Sequence, residues 1–303
     1  MRVGVTLPNS GPSANAHAVI QGAQHAERLG YDSLWVVDRL LYPVTPRHPY
    51  PGTPDGSLPD FFKQVLDPLE SLTFAAAHTS RIALGTSVLD IPFYHPVVLA
   101  RRLTTLDVLS GGRLRVGFGL GWSEDEFQAV GVSAKERGAR ADEFLQVLKT
   151  IWTTDPVAFQ GQYFQVPPSI IDPKPAQKPH PPIYLAAYVS AALKRAATLA
   201  NGWMPNGIPL EVMPQMLAQF HAMAEAVGRR PAELEVIVVA SVHMTQSPRE
   251  EDRPVFTGSM EQVKADIRGF RDLGANEIIF ELNLSPPIDD ILAMMERLRG
   301  LVE

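Results

Sequence analysis

Residues 85–122, GTSVLDIPFYHPVVLARRLTTLDVLSGGRLRVGFGLGW, decide the fold because they contain the ends of two strands and the helix between them. Apolar strand patterns at 81–88 (RIALGTSV) and 113–119 (RLRVGFG) flank a helix predicted over 95–109. This order predicts a βαβ unit, in which ligands bind beyond the carboxyl ends of the strands. We therefore expect functional residues at Ser87, Val88 and Asp90, and in the loop 119–122.

The same alternation of strand and helix continues along the whole chain. Strand patterns occur at 2–8, 33–37, 81–88, 113–119, 182–187, 202–205, 233–242 and 276–282. The helices between them have apolar residues at spacings of three and four, and two of them stop at Gly30 and Gly274. No linker or charge run divides the chain. The pattern predicts the α/β class and one (β/α)8 TIM barrel domain over 1–303, rather than two doubly wound domains.

Three segments are longer than a barrel loop needs, and they follow strands 2, 4 and 7. They span residues 40–68, 153–181 and 245–258. The first is rich in proline, and the second contains a predicted hairpin at 156–166. Because the first and third insertions follow carboxyl ends of strands, we expect them to cover the site.

Composition excludes several classes of protein. The 303 residues are 45% hydrophobic, but the longest apolar runs are far below the roughly 20 residues that span a bilayer. The start, MRVGVTLPNS, lacks the features of a secretory signal, so we expect a soluble cytoplasmic protein. A net charge of -6 without a basic stripe argues against nucleic-acid binding. There is no cysteine and no closely spaced histidine pair, so we expect no metal site.

Three blocks of sequence carry a resemblance to a known family. They are TSVLDIPFYHPVVLARRLTTLDVLSGGRLRVGFGLGW (86–122), DSLWVVDR (32–39) and YLAAYVSAALKRAATLANGW (184–203). The chain resembles the bacterial luciferase-like family of flavin and deazaflavin oxidoreductases over nearly its whole length. The proline-rich insertion at 42–68 is similar to that of the branch assigned to oxidoreductases that use the deazaflavin coenzyme F420.

The resemblance implies where the coenzyme ring would bind. In related enzymes the loop corresponding to Gly119, Leu120, Gly121 and Trp122 touches the ring, and the dipeptide corresponding to Ser87 and Val88 forms a bulge with a cis peptide bond behind it. Two other interpretations of the glycines remain open. In the first, the glycines only let a strand end bend. In the second, they form a dinucleotide fingerprint, although the GxGxxG spacing is absent.

Asp38 and Arg39, at the end of strand 2, are the candidate catalytic residues. Several relatives have a histidine at the second position, where this chain has Arg39, which stays protonated. Arg39 could bind an anion or stabilise negative charge on the ring, or it could form a salt bridge with Asp38 or Asp90. Trp122 stands where a glucose-6-phosphate-oxidising relative has glutamate, and it is either an apolar wall or a stacking partner. Both departures argue against a sugar-phosphate dehydrogenase.

The remaining candidates lie at other strand ends. Ala187, Tyr188, Val189 and Ser190 precede or begin a helix, whose free amides attract phosphate. Relatives have a glycine pair here, and this chain has Tyr188 and Val189. Asn9 and His243 are candidate substrate contacts, Asn206 is a further polar residue near a strand end, and His95 fits capping or packing better than catalysis.

These observations predict an F420-dependent oxidoreductase that transfers a hydride between the coenzyme and a small organic substrate. Two alternatives stay open. The first is an FMN-dependent monooxygenase that uses reduced flavin and oxygen, and the second is a non-catalytic protein that only binds coenzyme. The resemblance also implies a homodimer.

Overall fold

Eight parallel strands form a closed barrel in the computed structural model, which describes residues 1–53, 55–250, 252–282 and 284–302. In chain order, barrel strands 1 to 8 are Arg2–Thr6, Ser33–Val36, Ala83–Thr86, Leu114–Gly119, Ile183–Leu185, Gly202–Trp203, Glu235–Ser241 and Glu277–Glu281. Each pairs with its neighbours in sequence, strand 1 pairs with strand 8, and the pairing of strands 3 and 4 is parallel like the rest. The predicted (β/α)8 barrel is therefore confirmed, whereas the extent of one domain over 1–303 stays a prediction.

Helices surround the barrel. They are Ala16–Arg28, Pro68–Ala77, Pro96–Leu109, Glu124–Ala129, Arg137–Thr153, Ser190–Leu199, Met213–Glu225, Met260–Asp272 and Ile288–Arg299, with 3-10 turns at Asp60–Lys63, Ile91–Phe93, Ala134–Glu136 and Pro231–Glu233. Side chains that accept first-turn amides fix several helix starts, among them Asn15, Asp67 and Ser123. At Ser259 the bonds are reciprocal with Gln262, so that helix begins with a capping box.

Alternation along the strands separates two apolar layers. Outward residues pack under the helices, and inward residues form a smaller cluster made of Trp35, Tyr184, Met204, Ile237, Val239 and Ile279. Trp35 fits inside the barrel because glycines face it from the neighbouring strands, at Gly4 and Gly85, where a Cβ would collide with the Trp35 ring. This inner cluster fills the middle of the barrel.

A buried charge network fills the barrel at the amino-terminal ends of its strands. Arg115 forms ion pairs with Glu277 and with Glu235, the latter at 3.0 Å. The Arg115 guanidinium also lies 5.0 Å from the Tyr184 ring centroid, and Arg2 bridges the same two glutamates from outside. We call Arg2, Arg115, Tyr184, Glu235 and Glu277 the lower network. Because it fills this end, a ligand enters the barrel from the carboxyl end.

The predicted insertions are present. In the second, strands Val157–Gln160 and Gln165–Ser169 form the expected antiparallel hairpin, whose turn amides donate to the Glu143 carboxylate. In the third, residues His243–Met244 pair with Thr257–Gly258. The first insertion contains the turn Asp60–Lys63. Pro54 and Glu251, which belong to the first and third insertions, lie outside the described residues. Within the described ranges, no helix has the length and apolar character needed to cross a membrane.

Candidate active site at the carboxyl end of the barrel

Val88 forms the floor of the open end of the barrel. Its side chain packs on the inner apolar cluster that contains Trp35 and Tyr184. Gly119 lies beside it, and a Cβ on this glycine would come within 2.7 Å of Val88 Cγ2. The Ser87–Val88 peptide bond is cis, as the family resemblance implied, and it separates strand Ala83–Thr86 from the short strand Leu89–Asp90. The prediction of one continuous strand over 81–88 was therefore too long.

Asp90 follows the floor and is held by the glycine loop. Its Oδ1 accepts a hydrogen bond from the backbone N–H of Gly121 at 2.8 Å. Gly121 has φ +70°, a backbone conformation that glycine adopts without a steric cost, so the loop can turn its amide towards the carboxylate. Burial, together with the nearby carboxylates of Asp38 and Glu126, raises the pKa of Asp90 to about 7. An acid therefore lies directly beside the glycine loop.

Asp38 is the second acid at this end of the barrel. Its Oδ2 accepts the Tyr94 hydroxyl at 2.7 Å. Burial raises the pKa of Asp38 to about 6, and the hydrogen bond from Tyr94 opposes this effect only in part. Asp38 therefore titrates near neutral pH, in the range that proton transfer requires.

Arg39 is paired with a residue that the sequence analysis missed. Its Nη1 lies 2.8 Å from Glu126 Oε2, and the two side chains are only 6% and 2% exposed. Glu126 also accepts the backbone N–H of Leu40. Of the alternatives left open for Arg39, a salt bridge is present, but its partner is Glu126 and not Asp38 or Asp90. The cause is the helix Glu124–Ala129, which brings Glu126 from the strand 4 loop to the end of strand 2.

The Arg39 guanidinium lies between two aromatic rings. Its Cζ is 5.1 Å from the ring centroid of Phe62 and 5.1 Å from that of Trp122. Trp122 also contacts Tyr50, with centroids 5.3 Å apart. Arg39 Nε is buried and has no hydrogen-bond partner among the described residues. Trp122 therefore holds the arginine in place, and the arginine keeps one unused donor.

The first insertion is fastened over this end by a series of contacts between acidic and basic side chains. Three consecutive acids of one helix each take a basic residue: Glu126 pairs with Arg39, Asp125 with Arg47, and Glu124 with His48. We call these three pairs the insertion clamp. Only its innermost pair is buried, since the other two have exposed partners. The expectation that the first insertion covers the site agrees with this arrangement.

The predicted phosphate region lies at the start of the helix Ser190–Leu199. The cap residue Val189 provides no side-chain hydrogen bond, so the cap leaves the first amides of this helix free for another acceptor. Ala187 is buried and its carbonyl accepts the Trp203 indole N–H at 2.9 Å. Tyr188 and Val189 are 57% and 65% exposed, so the helix start is accessible at the surface.

The other candidate residues from the sequence are Asn9, His243 and His95. Asn9 is fully buried, and its amide group bonds to the backbone of Val37 and Leu66, which joins strand ends. His243 is exposed and pairs with Thr257 in the third insertion. His95 has no capping hydrogen bond and packs edge-on against Phe164 at 5.7 Å. The substrate role of Asn9 and His243 stays a prediction, and Asn9 has a structural task in addition.

Glu281 is a further acid that the sequence analysis missed. It ends strand 8 and accepts a hydrogen bond from Ser241, which ends strand 7. Burial raises its pKa. The argument that selected Asp38, a charged residue directly after an apolar strand, selects Glu281 equally well. For Tyr94 and Glu126 the sequence held no comparable signal.

The residues present fit a flat coenzyme ring. The floor is an apolar side chain, Gly119 and Gly121 add no side chain at two positions of the adjoining loop, and Arg39 keeps an unpaired donor nearby. A cationic donor suits a ring with carbonyl and nitrogen acceptors. Within the described residues, no group of three His, Asp or Glu is placed to hold a metal ion.

Comparison with known proteins gives the family. The family model of luciferase-like monooxygenases matches residues 1–282. An uncharacterized protein of Mycobacterium tuberculosis is 32% identical over 281 residues, which are 91% of this chain and 90% of that protein. An F420-dependent glucose-6-phosphate dehydrogenase of Kineococcus radiotolerans is 30% identical over 75% of this chain and 64% of its own length. An FMNH(2)-dependent dimethylsulfone monooxygenase of Pseudomonas putida is 32% identical over 52% of this chain and 45% of its own.

Solved structures show the same fold. The monooxygenase RslO1 of Streptomyces bottropensis has a TM-score of 0.81 at 24% identity and covers 100% of this chain and 98% of its own. An F420-dependent secondary alcohol dehydrogenase, solved with an F420-acetone adduct, has a TM-score of 0.78 at 18% identity over 100% and 99% of the two chains. The match to the family model over most of its length, together with a relative 32% identical, shows that the chain belongs to the luciferase-like monooxygenase family.

Proposed function

We propose that this protein is an F420-dependent oxidoreductase that acts on a small organic substrate at the carboxyl end of the barrel. The observation that carries the proposal is the cradle made of Val88, Gly119 and Gly121, with an unpaired Arg39 donor beside it. The proline-rich insertion and the relative from Kineococcus radiotolerans favour F420. When bound, the coenzyme supplies hydride chemistry.

The residues of this chain would orient the coenzyme and handle protons. Val88 and the loop 119–122 would hold the ring. The free amides at the start of the helix Ser190–Leu199 suit a phosphate group. Asp38 and Asp90, whose pKa values are raised to about 6 and about 7, can hold or release a proton near neutral pH.

The second candidate is an FMN-dependent monooxygenase. The relative from Pseudomonas putida and the name of the family model favour it. A fluorescence titration of the purified protein with each coenzyme separates the two. We expect F420 to bind at least tenfold more tightly, a difference of about 1.4 kcal/mol. Equal or tighter binding of FMN, with product formation that requires oxygen, would replace the first proposal by the second.

A pair of glycine variants tests the cradle itself. Gly121→Ala places a methyl group 3.0 Å from Phe127, whereas Gly111→Ala meets no atom within 4 Å, and both glycines have φ near +70°. Both variants are expected to lose stability from the strained backbone, roughly 1 kcal/mol. Only Gly121→Ala should weaken coenzyme binding, by at least about tenfold. Equal affinity of the two variants would place the coenzyme elsewhere.

Turnover then distinguishes an enzyme from a protein that only binds coenzyme. Screening alcohols, carbonyl compounds and sulfur compounds at saturating coenzyme, with and without oxygen, should reveal coenzyme oxidation or reduction coupled to a substrate. Tight binding without turnover across these classes would favour the non-catalytic alternative.

A further inference from the structure

Asp90 points into the open end of the barrel. Side chains alternate along the segment after the cis bond: Val88 packs on the inner cluster, and Leu89 lies in the outer core under the helices. Asp90 therefore returns to the inner side, one step beyond the floor. Opposite it stands Gly119, its partner in the strand pairing, which has no side chain to cover the carboxyl group.

The two carboxyl oxygens of Asp90 have different surroundings. Oδ1 accepts the Gly121 N–H at 2.8 Å, and a Cβ on Gly119 would lie 2.5 Å from it. No described residue donates a hydrogen bond to Oδ2. A proton on this carboxyl group therefore belongs on Oδ2, where no donor competes with it.

The charges around Asp90 favour its protonated form. The neighbouring groups that act on it are Asp38 and Arg39 after strand 2, Glu126 on the helix Glu124–Ala129, and Tyr188 after strand 5. Arg39 is already paired with Glu126, and Asp38 is an acid like Asp90 itself. Three acids thus share one arginine. Burial and these neighbours raise the pKa of Asp90 from 3.8 to about 7, against the opposing effects of Gly121 N–H and Arg39.

We propose that Asp90 carries a proton on Oδ2 at neutral pH and donates it as a hydrogen bond to a carbonyl oxygen or ring nitrogen of a ligand. This ligand is bound at the open carboxyl end of the barrel, which we call the mouth. The inference rests on the proposed function, because the acceptor belongs to a coenzyme or substrate bound in the cradle. If the proton is transferred, the Oδ2–H bond breaks and an O–H or N–H bond forms on the acceptor. The carboxylate that remains keeps the Gly121 N–H and the nearby positive charge of Arg39.

The protonation state of Asp90 is tested in the coenzyme-free protein. Infrared difference spectroscopy follows the carbonyl stretch of protonated carboxyl groups between pH 5 and 9. We expect a band that disappears near pH 7 in the wild type, is absent in Asp90→Asn, and persists in the control Asp125→Asn, whose carboxylate is part of the insertion clamp. Asp38→Asn should remove a separate band that titrates at lower pH. A wild-type spectrum that Asp90→Asn leaves unchanged would overturn the proposal.

The hydrogen bond that Asp90 donates to the ligand is tested by measuring coenzyme affinity. Asn at position 90 can keep the acceptor for Gly121 N–H and offers a permanent N–H donor, whereas Leu offers neither. We expect wild-type affinity for the preferred coenzyme to fall roughly tenfold from pH 6 to pH 8.5, as one group with a pKa near 7 loses its proton. In Asp90→Asn the part of this fall in affinity that comes from Asp90 should vanish. Asp90→Leu should bind the coenzyme weakly at every pH. Titration of the coenzyme itself affects all three proteins alike, so Asp90→Asn is the control for it.

The two proposals fail in distinguishable ways. If neither F420 nor FMN binds to the wild type, the proposed function fails, and the infrared titration alone then decides whether Asp90 is protonated. If a coenzyme binds and the pH profiles of wild type and Asp90→Asn coincide, the proposed function stands, and the donor role of Asp90 is wrong.

Discussion

At the scale of single residues, the pair of Arg39 and Glu126 links stability to the site. Both side chains are almost fully buried, and Glu126 also holds the backbone N–H of Leu40. Removing one partner leaves the other charge uncompensated in a poorly solvated place, which is much more costly than losing an exposed ion pair. Arg39 thus has a structural role whatever ligand it meets.

A double-mutant cycle measures this role. We expect Arg39→Met and Glu126→Gln each to lower the free energy of unfolding by about 3 kcal/mol. The double variant should lose at least about 1 kcal/mol less than the sum, because the pair is broken only once. Arg47→Met is the matched control, since its pair with Asp125 is half exposed and should contribute less than about 1 kcal/mol. Urea denaturation provides the values, and additive losses would show that the two side chains are not coupled.

Some site residues could be predicted from the sequence and others could not. Asp38, Arg39 and Asp90 were found because each is a charged residue just beyond an apolar strand, and such positions meet at one end of a barrel. Glu126 and Tyr94 approach them from a helix and a 3-10 turn. Their direction depends on how the connecting segments pack, and no local pattern records that. Identifying the partner of Arg39 therefore required the structure.

At the scale of elements, the alternation of strands and helices was enough to predict the barrel, but the bounds of the elements were less accurate. The helix predicted over 95–109 is observed as Pro96–Leu109, since proline favours the first helical position. Strand 6, predicted over 202–205, is only Gly202–Trp203. Strand ends depend on pairing with distant segments, which apolar patterns do not specify.

The lower network should contribute to the stability of the barrel without contributing to the site. Arg115, on strand 4, reaches Glu235 and Glu277 at the starts of strands 7 and 8 and therefore ties together strands that are distant in sequence. Its side chain is only 10% exposed. Because the network lies at the amino end of the strands, with the inner apolar cluster between it and the mouth, its loss should not change the site.

We accordingly expect Arg115→Met to lower the free energy of unfolding by about 3 kcal/mol, because the buried Glu277 and the partly exposed Glu235 each lose one of their two arginine partners and keep Arg2. Coenzyme affinity of the folded protein should change less than about twofold. The control Arg268→Met removes an exposed arginine and should leave both quantities unchanged. Thermal unfolding and fluorescence titration give the two readouts. A large loss of affinity in Arg115→Met would mean that the barrel interior transmits changes to the mouth.

At the scale of the whole molecule, one flank carries exposed apolar side chains. Phe74 on the helix Pro68–Ala77 is 38% exposed, and Val98, Val108 and Leu109 on the helix Pro96–Leu109 are 59%, 42% and 66% exposed. The two helices are neighbours around the barrel because they precede and follow strand 3. Apolar side chains on adjacent helices favour association with another apolar surface.

We predict that the protein is a homodimer and that these two helices form its interface. A stable dimer buries roughly 800 Å² on each partner, more than these four side chains provide, so polar neighbours on the same helices must contribute. Because a charge introduced in the centre of an apolar interface is desolvated without a partner, Leu109→Asp combined with Val98→Asp should shift the dimer to monomer. Val227→Asp, which alters an exposed valine beyond another helix, is the control and should remain dimeric. Light scattering at micromolar concentration reads the mass directly. A wild-type monomer would disprove the dimer, and a dimer that survives both aspartates would place its interface on another flank.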